Sequence, residues 1–232
     1  MTTLVKPQDL VVPGQLLAKG DYRCGDGTYK EQQEIFASVV GIAKVKGNLI
    51  FVVALQGRYN PKPRDIVIGT IIEITMNGWL VDINSAYPAM LTVMHALSRR
   101  DASRANDDLQ RWYDVGDTVI AEIVAADRTR DPLLTTRGRG LGKCRGGVLI
   151  EITPTRVPRL IGRKGSMISM LKSELNCEIV VGQNGIIWLK GDPDHVVIAI
   201  EAIRQIEREA HTSGLTDRVR EVIIMKLSDK RR

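Results

Sequence analysis

The chain has 232 residues and a mass of 25.7 kDa, with 44% hydrophobic, 26% charged and 4% aromatic residues and a net charge of +6. This length predicts two or three domains, and the composition is ordinary for soluble globular proteins. No apolar run approaches the roughly 20 residues that cross a bilayer, and the N-terminus has no secretory pattern, so we expect neither a membrane protein nor a secreted one.

Residues 1–60 predict a small β-domain whose role is to mediate contacts. Short extended segments alternate with Gly-marked turns, and residues 20–30 form a predicted polar loop. Two apolar stretches, 35–45 and 48–55, flank Lys46-Gly47 and predict a hairpin.

Residues 64–137 predict a closed five-stranded β-barrel of the OB type. Pro61 and Pro63 mark its start, and Gly69 inside the first strand suits a tight bend at a barrel corner. A longer polar connection with helical character separates the third and fourth strands, as such barrels allow. The predicted strands are 64–75, 78–84, 88–94, 115–128 and 133–136.

The positive charge is concentrated in residues 136–166. This segment has eight basic residues and a single acid, Glu151, so it carries +7 while the rest of the chain carries −1. Within it, 138–147 is a Gly-rich stretch that predicts a flexible linker. The three cations of this stretch, the Arg137 that precedes it and two on an earlier loop are predicted to follow a phosphate backbone, although they could merely solvate a surface. These six residues are Arg137, Arg139, Lys143, Arg145, Arg128 and Arg130.

Residues 148–212 predict the order strand, helix, turn, helix, strand, strand, helix. The turn is Gly162-Arg163-Lys164-Gly165, and Ser166 and Asp192 are predicted caps of the helices that follow them. This order, with RLIGRKGS at the turn, resembles a type I KH domain. The predicted fold class is therefore α+β and multidomain. The tail, residues 213–232, could add a strand or a helix.

The resemblance implies that this turn clamps single-stranded RNA. KH loops bind the backbone of about four nucleotides. Gly162 and Gly165 would let phosphates approach the peptide, and Arg163 and Lys164 would supply charge. Ile161, Ile168 and Leu171 could line a groove beside the bases or simply form core. A P-loop is disfavoured, because it needs four residues between its glycines and a preceding strand.

A second glycine pair occurs in Gly182-Gln183-Asn184-Gly185. Asn-Gly is a strong hairpin signal, which alone accounts for the motif. It also resembles a Gly-x-Asn-Gly signature of exosome cap subunits, in which it is a structural contact and not an RNA clamp. Trp188 beside it is predicted to be core.

Two further motifs, DIVIG at 65–69 and GDTV at 116–119, resemble the S1 family of RNA-binding OB-folds. Such domains often stack bases on aromatic residues of the second strand. This chain has Asn77, Leu80 and Thr92 at the expected positions, and Trp79 lies one residue away. The missing aromatics predict weaker binding, since each stacked base contributes about 1–3 kcal/mol.

An N-terminal β-domain followed by S1 and KH domains resembles the RNA-binding cap subunits of the archaeal exosome. The resemblance implies three copies on a hexameric ring of phosphorolytic nuclease subunits, docked through the N-terminal domain, with other exosome-associated subunits as further partners. It also implies capture of RNA 3′ ends, preferentially A-rich, for degradation or tailing.

We expect no catalytic activity, no metal and no cofactor. The histidines, His95, His195 and His211, lie in unrelated contexts, and the three scattered cysteines argue against a zinc site and fit a reducing cytoplasm. Two alternatives stay open. Polynucleotide phosphorylase carries KH before S1 and adds catalytic domains that are missing here, and a free-standing S1/KH factor of transcription or translation would bind RNA without a ring.

Overall fold

The structure, a computed structural model, describes residues 2–6, 8–102, 109–127, 130–210, 212 and 214–230. It divides into two compact units, residues 1–57 and 58–232. No helix in these ranges combines the length and apolar character needed to cross a membrane.

The N-terminal unit consists of two four-stranded sheets that share one core. Leu17, Ile35 and Ile50 are fully buried in it. The sheet orders are β1-β3-β6-β5 and β2-β7-β8-β4, where the strands are β1 (Thr2–Thr3), β2 (Leu10–Val11), β3 (Leu16–Lys19), β4 (Arg23–Cys24), β5 (Thr28–Glu31), β6 (Glu34–Ala37), β7 (Gly41–Lys46) and β8 (Leu49–Ala54).

This unit differs from the sequence prediction at two places. The predicted strand 35–45 bends at residues 38–40, so its halves, β6 and β7, belong to different sheets. Gly41 permits the close approach after the bend, because a Cβ there would lie 2.3 Å from the carbonyl oxygen of Val53. The predicted polar loop 20–30 contains the short strand β4 and all but the last residue of β5. The hairpin at Lys46-Gly47 is confirmed by the antiparallel pairing of β7 with β8.

The second unit begins with a five-stranded barrel, as predicted. Its sheet order is β13-β11-β10-β9-β12, and pairing of β12 with β13 closes it. Gly69 allows the bend of the first strand, since a Cβ would lie 2.6 Å from the Asp82 carbonyl oxygen. The strands are β9 (Ile66–Thr75), β10 (Gly78–Asp82), β11 (Ala89–Thr92), β12 (Thr118–Ala125) and β13 (Leu133–Thr135).

The connection between the third and fourth barrel strands contains three short helical elements among its described residues. The third strand ends at Thr92, two residues earlier than predicted, and the chain continues into α1 (Val93–Ala96). α2 (Arg99–Ala102) and a 3₁₀ turn (Leu109–Arg111) follow.

Residues 138–147, predicted to be a flexible linker, are fixed to the barrel. β14 (Gly142–Lys143) pairs with β12, and the Cys144 amide donates to the Thr118 carbonyl at 2.8 Å. The Trp188 indole N–H donates to the Gly146 carbonyl at 2.8 Å. The prediction of flexibility was based on glycine content, which does not show backbone pairing. Pairing with β12 holds this segment in place.

The rest of the unit has the predicted type I KH order. Its three-stranded sheet, β15-β17-β16, is covered on one face by helices. The elements are β15 (Val148–Glu151), a 3₁₀ turn (Pro154–Arg156), α3 (Val157–Ile161), a second 3₁₀ turn (Arg163–Gly165), α4 (Ser166–Leu175), β16 (Glu178–Val181), β17 (Ile186–Lys190), α5 (Pro193–Arg208) and α6 (Leu215–Lys230).

Of the two predicted helix caps, one is confirmed. The Asp192 carboxylate accepts from the Asp194 amide at 3.0 Å at the start of α5. Ser166 does not cap α4, because it is the first helical residue and Gly165 occupies the capping position without a side chain. The tail resolves into helix α6, which buries Leu215, Val219 and Ile223 at four-residue spacing against the KH core.

Candidate nucleic-acid interface

The turn at residues 162–165, called the basic turn below, connects α3 to α4. Three of its residues have positive φ: Gly162 (76°), Lys164 (52°) and Gly165 (80°). The Gly162 amide donates to the Pro158 carbonyl at 3.0 Å and so ends α3, and the Gly165 amide donates to the Gly162 carbonyl at 3.2 Å. The loop is thus a tight, internally bonded turn between two helices.

The two glycines of the basic turn are required for different reasons. A Cβ on Gly162 would lie 2.8 Å from the amide nitrogen of Met167, so the protein's own packing demands glycine there. Around Gly165 the closest atom, Cγ2 of Ile168, would be 3.9 Å away. Gly165 is therefore favoured only by its left-handed backbone, and the space beside it is open to a ligand.

The basic turn is electrostatically suited to a phosphate. The side chains of Arg163 and Lys164 are exposed, and the ten-residue helix α4 starts directly after them without an acid in its first turn. The N-terminal amides of a helix point outward and carry a partial positive charge, which favours anions.

Two of the other predicted RNA-binding cations have partners inside the protein. The Arg137 Nε donates to the Leu97 carbonyl at 2.7 Å, and its Nη2 reaches the same oxygen. Lys143 pairs with Asp117. Burial opposes ionisation of Asp117, but hydrogen bonds from Lys143 and the Asp114 amide prevail and hold its pKa below the usual range.

Three more of these cations, Arg130, Arg139 and Arg145, are exposed, and Arg128 lies outside the described residues. Arg145 precedes Gly146, which is bonded to Trp188 on the barrel-facing side of the KH sheet. The basic turn belongs to the helical side. The positive segment of the sequence therefore contributes to two separate surfaces.

The barrel does not present an aromatic platform at the expected strand positions. Trp79 is fully buried, donates its indole N–H to the Tyr113 carbonyl at 2.8 Å and packs edge-on against the Tyr113 ring. Asn77 is exposed, and Leu80 and Thr92 are half-buried.

The three apolar residues proposed for the KH groove also differ in exposure. Leu171 is fully buried and belongs to the core, whereas Ile161 and Ile168 are half-buried beside the basic turn. Only these last two can contact a base without unfolding the domain.

The turn at residues 182–185, called the junction turn below, joins the KH domain to the barrel. Asn184 is fully buried, and its amide donates to the carbonyls of Ile68 at 2.7 Å and Ile83 at 2.9 Å. Its carbonyl oxygen accepts from the Ile68 amide at 3.3 Å. Gly185 is enclosed, since a Cβ would lie 2.3 Å from the Ile152 carbonyl oxygen. Gly182 is also buried.

A second cross-domain contact was not singled out from sequence. The Asn84 amide donates to the Glu151 carboxylate at 2.7 Å, next to the junction turn. Asn84 has φ of +55°, a conformation that Asn adopts in turns more readily than most residues. An Asn at the end of a predicted strand could therefore have indicated the turn. Its partner lies 67 residues away and has no sequence signal.

The described residues contain no group of three or more His, Cys, Asp or Glu side chains arranged to hold a metal ion.

Comparison with known proteins matches three family models along the chain. An exosome RNA-binding protein RRP4 N-terminal domain matches residues 8–56, an RRP4 S1 domain matches 58–125, and a KH domain matches 147–195.

Several archaeal proteins described as exosome complex component Rrp4 are similar over nearly the whole chain. The protein of Methanothermobacter thermautotrophicus is 47% identical over 95% of this chain and 69% of its own length. That of Methanothermus fervidus is 46% identical over 96% and 98%, respectively. A crystal structure of an exosome complex RNA-binding protein has a TM-score of 0.67 and 41% identity, covering 75% of this chain and 99% of its own. The chain therefore belongs to the Rrp4 family of exosome complex components.

Proposed function

We propose that this chain is a non-catalytic RNA-binding cap subunit of the exosome. It captures the 3′ ends of single-stranded, A-rich RNA and guides them to a phosphorolytic ring for 3′–5′ degradation or tailing in the cytoplasm. The observation that carries the proposal is the basic turn, where Arg163 and Lys164 are exposed beside the open space at Gly165 and the start of α4.

RNA contact at the basic turn follows from charge and access. Phosphates bind cations and helix N-terminal amides without base recognition, and half-buried Ile161 and Ile168 offer apolar contact to bases beside them. The exposed Arg130, Arg139 and Arg145 add positive charge on the barrel side. With no aromatic at the usual S1 strand positions, we assign most of the barrel's share of binding to phosphate contacts.

The proposal includes docking of three copies onto a hexameric ring through the N-terminal unit, and an apolar row on this unit supports a protein contact there. Leu10 pairs with Ile42, which pairs with Val53, so the three side chains form one apolar row across β2, β7 and β8. Leu10 is 63% exposed and Val53 is 44% exposed. A contiguous apolar row on a sheet's solvent face is typical of a surface that another protein covers.

The proposal is tested by mixing the purified chain with archaeal exosome ring subunits and with a fluorescent oligoadenylate. We expect co-elution with the ring, RNA binding that weakens steeply with salt, and no RNA cleavage by the chain alone in phosphate and Mg²⁺. Elution apart from the ring with RNA binding retained would favour a free-standing factor. Absence of RNA binding at low salt, or cleavage by the chain alone, would overturn the proposal.

A further inference from the structure

The side chain of Arg159, two residues before the end of α3, turns into the protein. Its Nη2 donates to the Thr212 carbonyl at 2.8 Å. Its Nε is buried and has no hydrogen-bond partner among the described residues. Burying part of a charged guanidinium costs desolvation free energy, and the bond to Thr212 already uses one of its donors. The role of Arg159 is therefore to bind within the fold and not to bind phosphate.

The segment that Arg159 reaches is the connection between α5 and α6, and this connection is itself closely bonded. The Thr212 amide and hydroxyl both donate to the Glu209 carbonyl at 2.9 Å. Arg218 of α6 donates to the Thr212 hydroxyl at 2.5 Å and to the Glu209 carboxylate at 3.2 Å. Arg159 therefore connects α3 to Thr212, which is itself bonded to Glu209 and to Arg218 of α6.

Helix α6 also fastens α4. Arg220 pairs with Glu174 of α4 at 3.3 Å. The α6 residues Leu215, Val219 and Ile223 are buried in the same core cluster as Leu171 and Leu175 of α4. The described residues of the C-terminal segment, 209–210, 212 and 214–230, thus hold both helices that flank the basic turn. They lie beyond residues 147–195, where the KH family model matches.

We infer that residues 209–230 are a brace that sets the geometry of the basic turn for RNA, with Arg159 as the positioning residue that connects α3 to it. The inference rests on the proposed RNA-binding function. A positioning residue and a phosphate-binding residue differ in a measurable way. Loss of a direct phosphate contact lowers the slope of log K against log salt by about 0.7 for single-stranded RNA, whereas loss of positioning weakens binding at an unchanged slope.

The experiment compares Arg159→Met with Arg163→Met, each losing one positive charge, in oligoadenylate titrations over a range of salt. We expect Arg159→Met to weaken binding about tenfold at the wild-type salt slope, because RNA binding must then restore the turn geometry that a hydrogen bond from a charged group had held. Arg163→Met should weaken binding and reduce the slope. Arg159→Lys, which keeps a donor near Thr212, should recover part of the affinity.

Hydrogen exchange separates a brace from a loss of folding. In Arg159→Met we expect faster exchange of the amides of residues 162–167, with slow exchange retained in β16 and β17. A reduced salt slope in Arg159→Met would make Arg159 a phosphate ligand, and unchanged affinity would make it irrelevant to binding; either result overturns the brace. Failure of the wild-type protein to bind RNA would instead refute the proposed function. In that case, hydrogen exchange of residues 162–167 in Arg159→Met would still test whether Arg159 holds the basic turn.

Discussion

The KH domain contains two turns with the same Gly-x-x-Gly spacing and opposite environments. The basic turn exposes Arg163 and Lys164, whereas the junction turn buries Asn184 completely. Both contain glycines whose Cβ would clash with the protein's own backbone, Gly162 with Met167 and Gly185 with Ile152. Glycine spacing therefore reports a tight backbone in each case, and the two central side chains decide whether the turn faces a ligand or another domain.

The largest effect is expected at the junction turn. Asn184→Ala removes hydrogen bonds to three buried backbone groups of Ile68 and Ile83, each of which costs about 1–3 kcal/mol when left unsatisfied. We expect urea denaturation to show a loss of about 3–5 kcal/mol in the unit 58–232.

Gln183→Ala is the matched control for this variant. Gln183 contacts the barrel through its backbone amide, which donates to the Ile66 carbonyl at 2.7 Å, and that bond survives the substitution. The control should stay within about 0.5 kcal/mol of wild type. Equal losses in the two variants would show that the Asn184 side chain does not hold the domains together.

The basic turn should respond in the opposite way. Arg163→Asp combined with Lys164→Asp should weaken RNA binding on the order of 100-fold at moderate salt and reduce the salt slope by about 0.7 for each lost contact, with the unfolding free energy nearly unchanged. The charge-matched control is Lys44→Asp with Lys172→Asp, both exposed and neither part of the turn. If the control weakens binding as much, net charge and not the turn is responsible.

The sequence predicted the features whose contacts lie close together along the chain. The basic turn, its two helices and the cap at Asp192 were predicted because their signals are local: a glycine pair, helical apolar spacing and a capping carboxylate. The closed barrel was likewise predicted from five successive strands, the longer connection between the third and fourth, and the position of Gly69.

Partners that lie far along the chain were not predicted. Lys143 was predicted to contact RNA, and Arg159 is one of the eight basic residues counted in the positive segment. Their partners within the protein lie 26 and 53 residues away along the chain. The same limit explains residues 138–147, where glycine content predicts flexibility but pairing with β12 fixes the segment. A charge count gives the number of cations in a segment. Only the fold shows which of these cations already bind a carbonyl or carboxylate of the protein itself.

A finer comparison is possible within the basic turn. Gly162 has φ 76° and ψ 175°, a region open essentially to glycine alone, and it packs on Met167. Gly165 has φ 80° and ψ 13°, which other residues adopt at a cost of about 1–2 kcal/mol. Gly162→Ala should therefore destabilise the protein by about 2 kcal/mol more than Gly165→Ala in thermal unfolding. Equal losses would mean that the backbone at Met167, the second residue of α4, shifts to accommodate the added methyl group.

The smallest effect concerns the segment that leads into the basic turn. Burial opposes ionisation of Glu207, but hydrogen bonds from the Thr153 amide at 2.7 Å, the Thr153 hydroxyl at 2.9 Å and Arg204 at 3.1 Å outweigh it, so its pKa lies below the usual range. A depressed pKa stabilises the fold above the unfolded-state value, about 4.3, and this stability is lost as the pH falls through the folded-state pKa. We expect Glu207→Gln to cost roughly 1 kcal/mol at pH 7 and progressively less below pH 4. The exposed Glu221→Gln is the control and should change the unfolding free energy by less than about 0.5 kcal/mol at pH 7. A Glu207→Gln loss that does not diminish as the pH falls would mean that the carboxylate charge is not what holds Thr153.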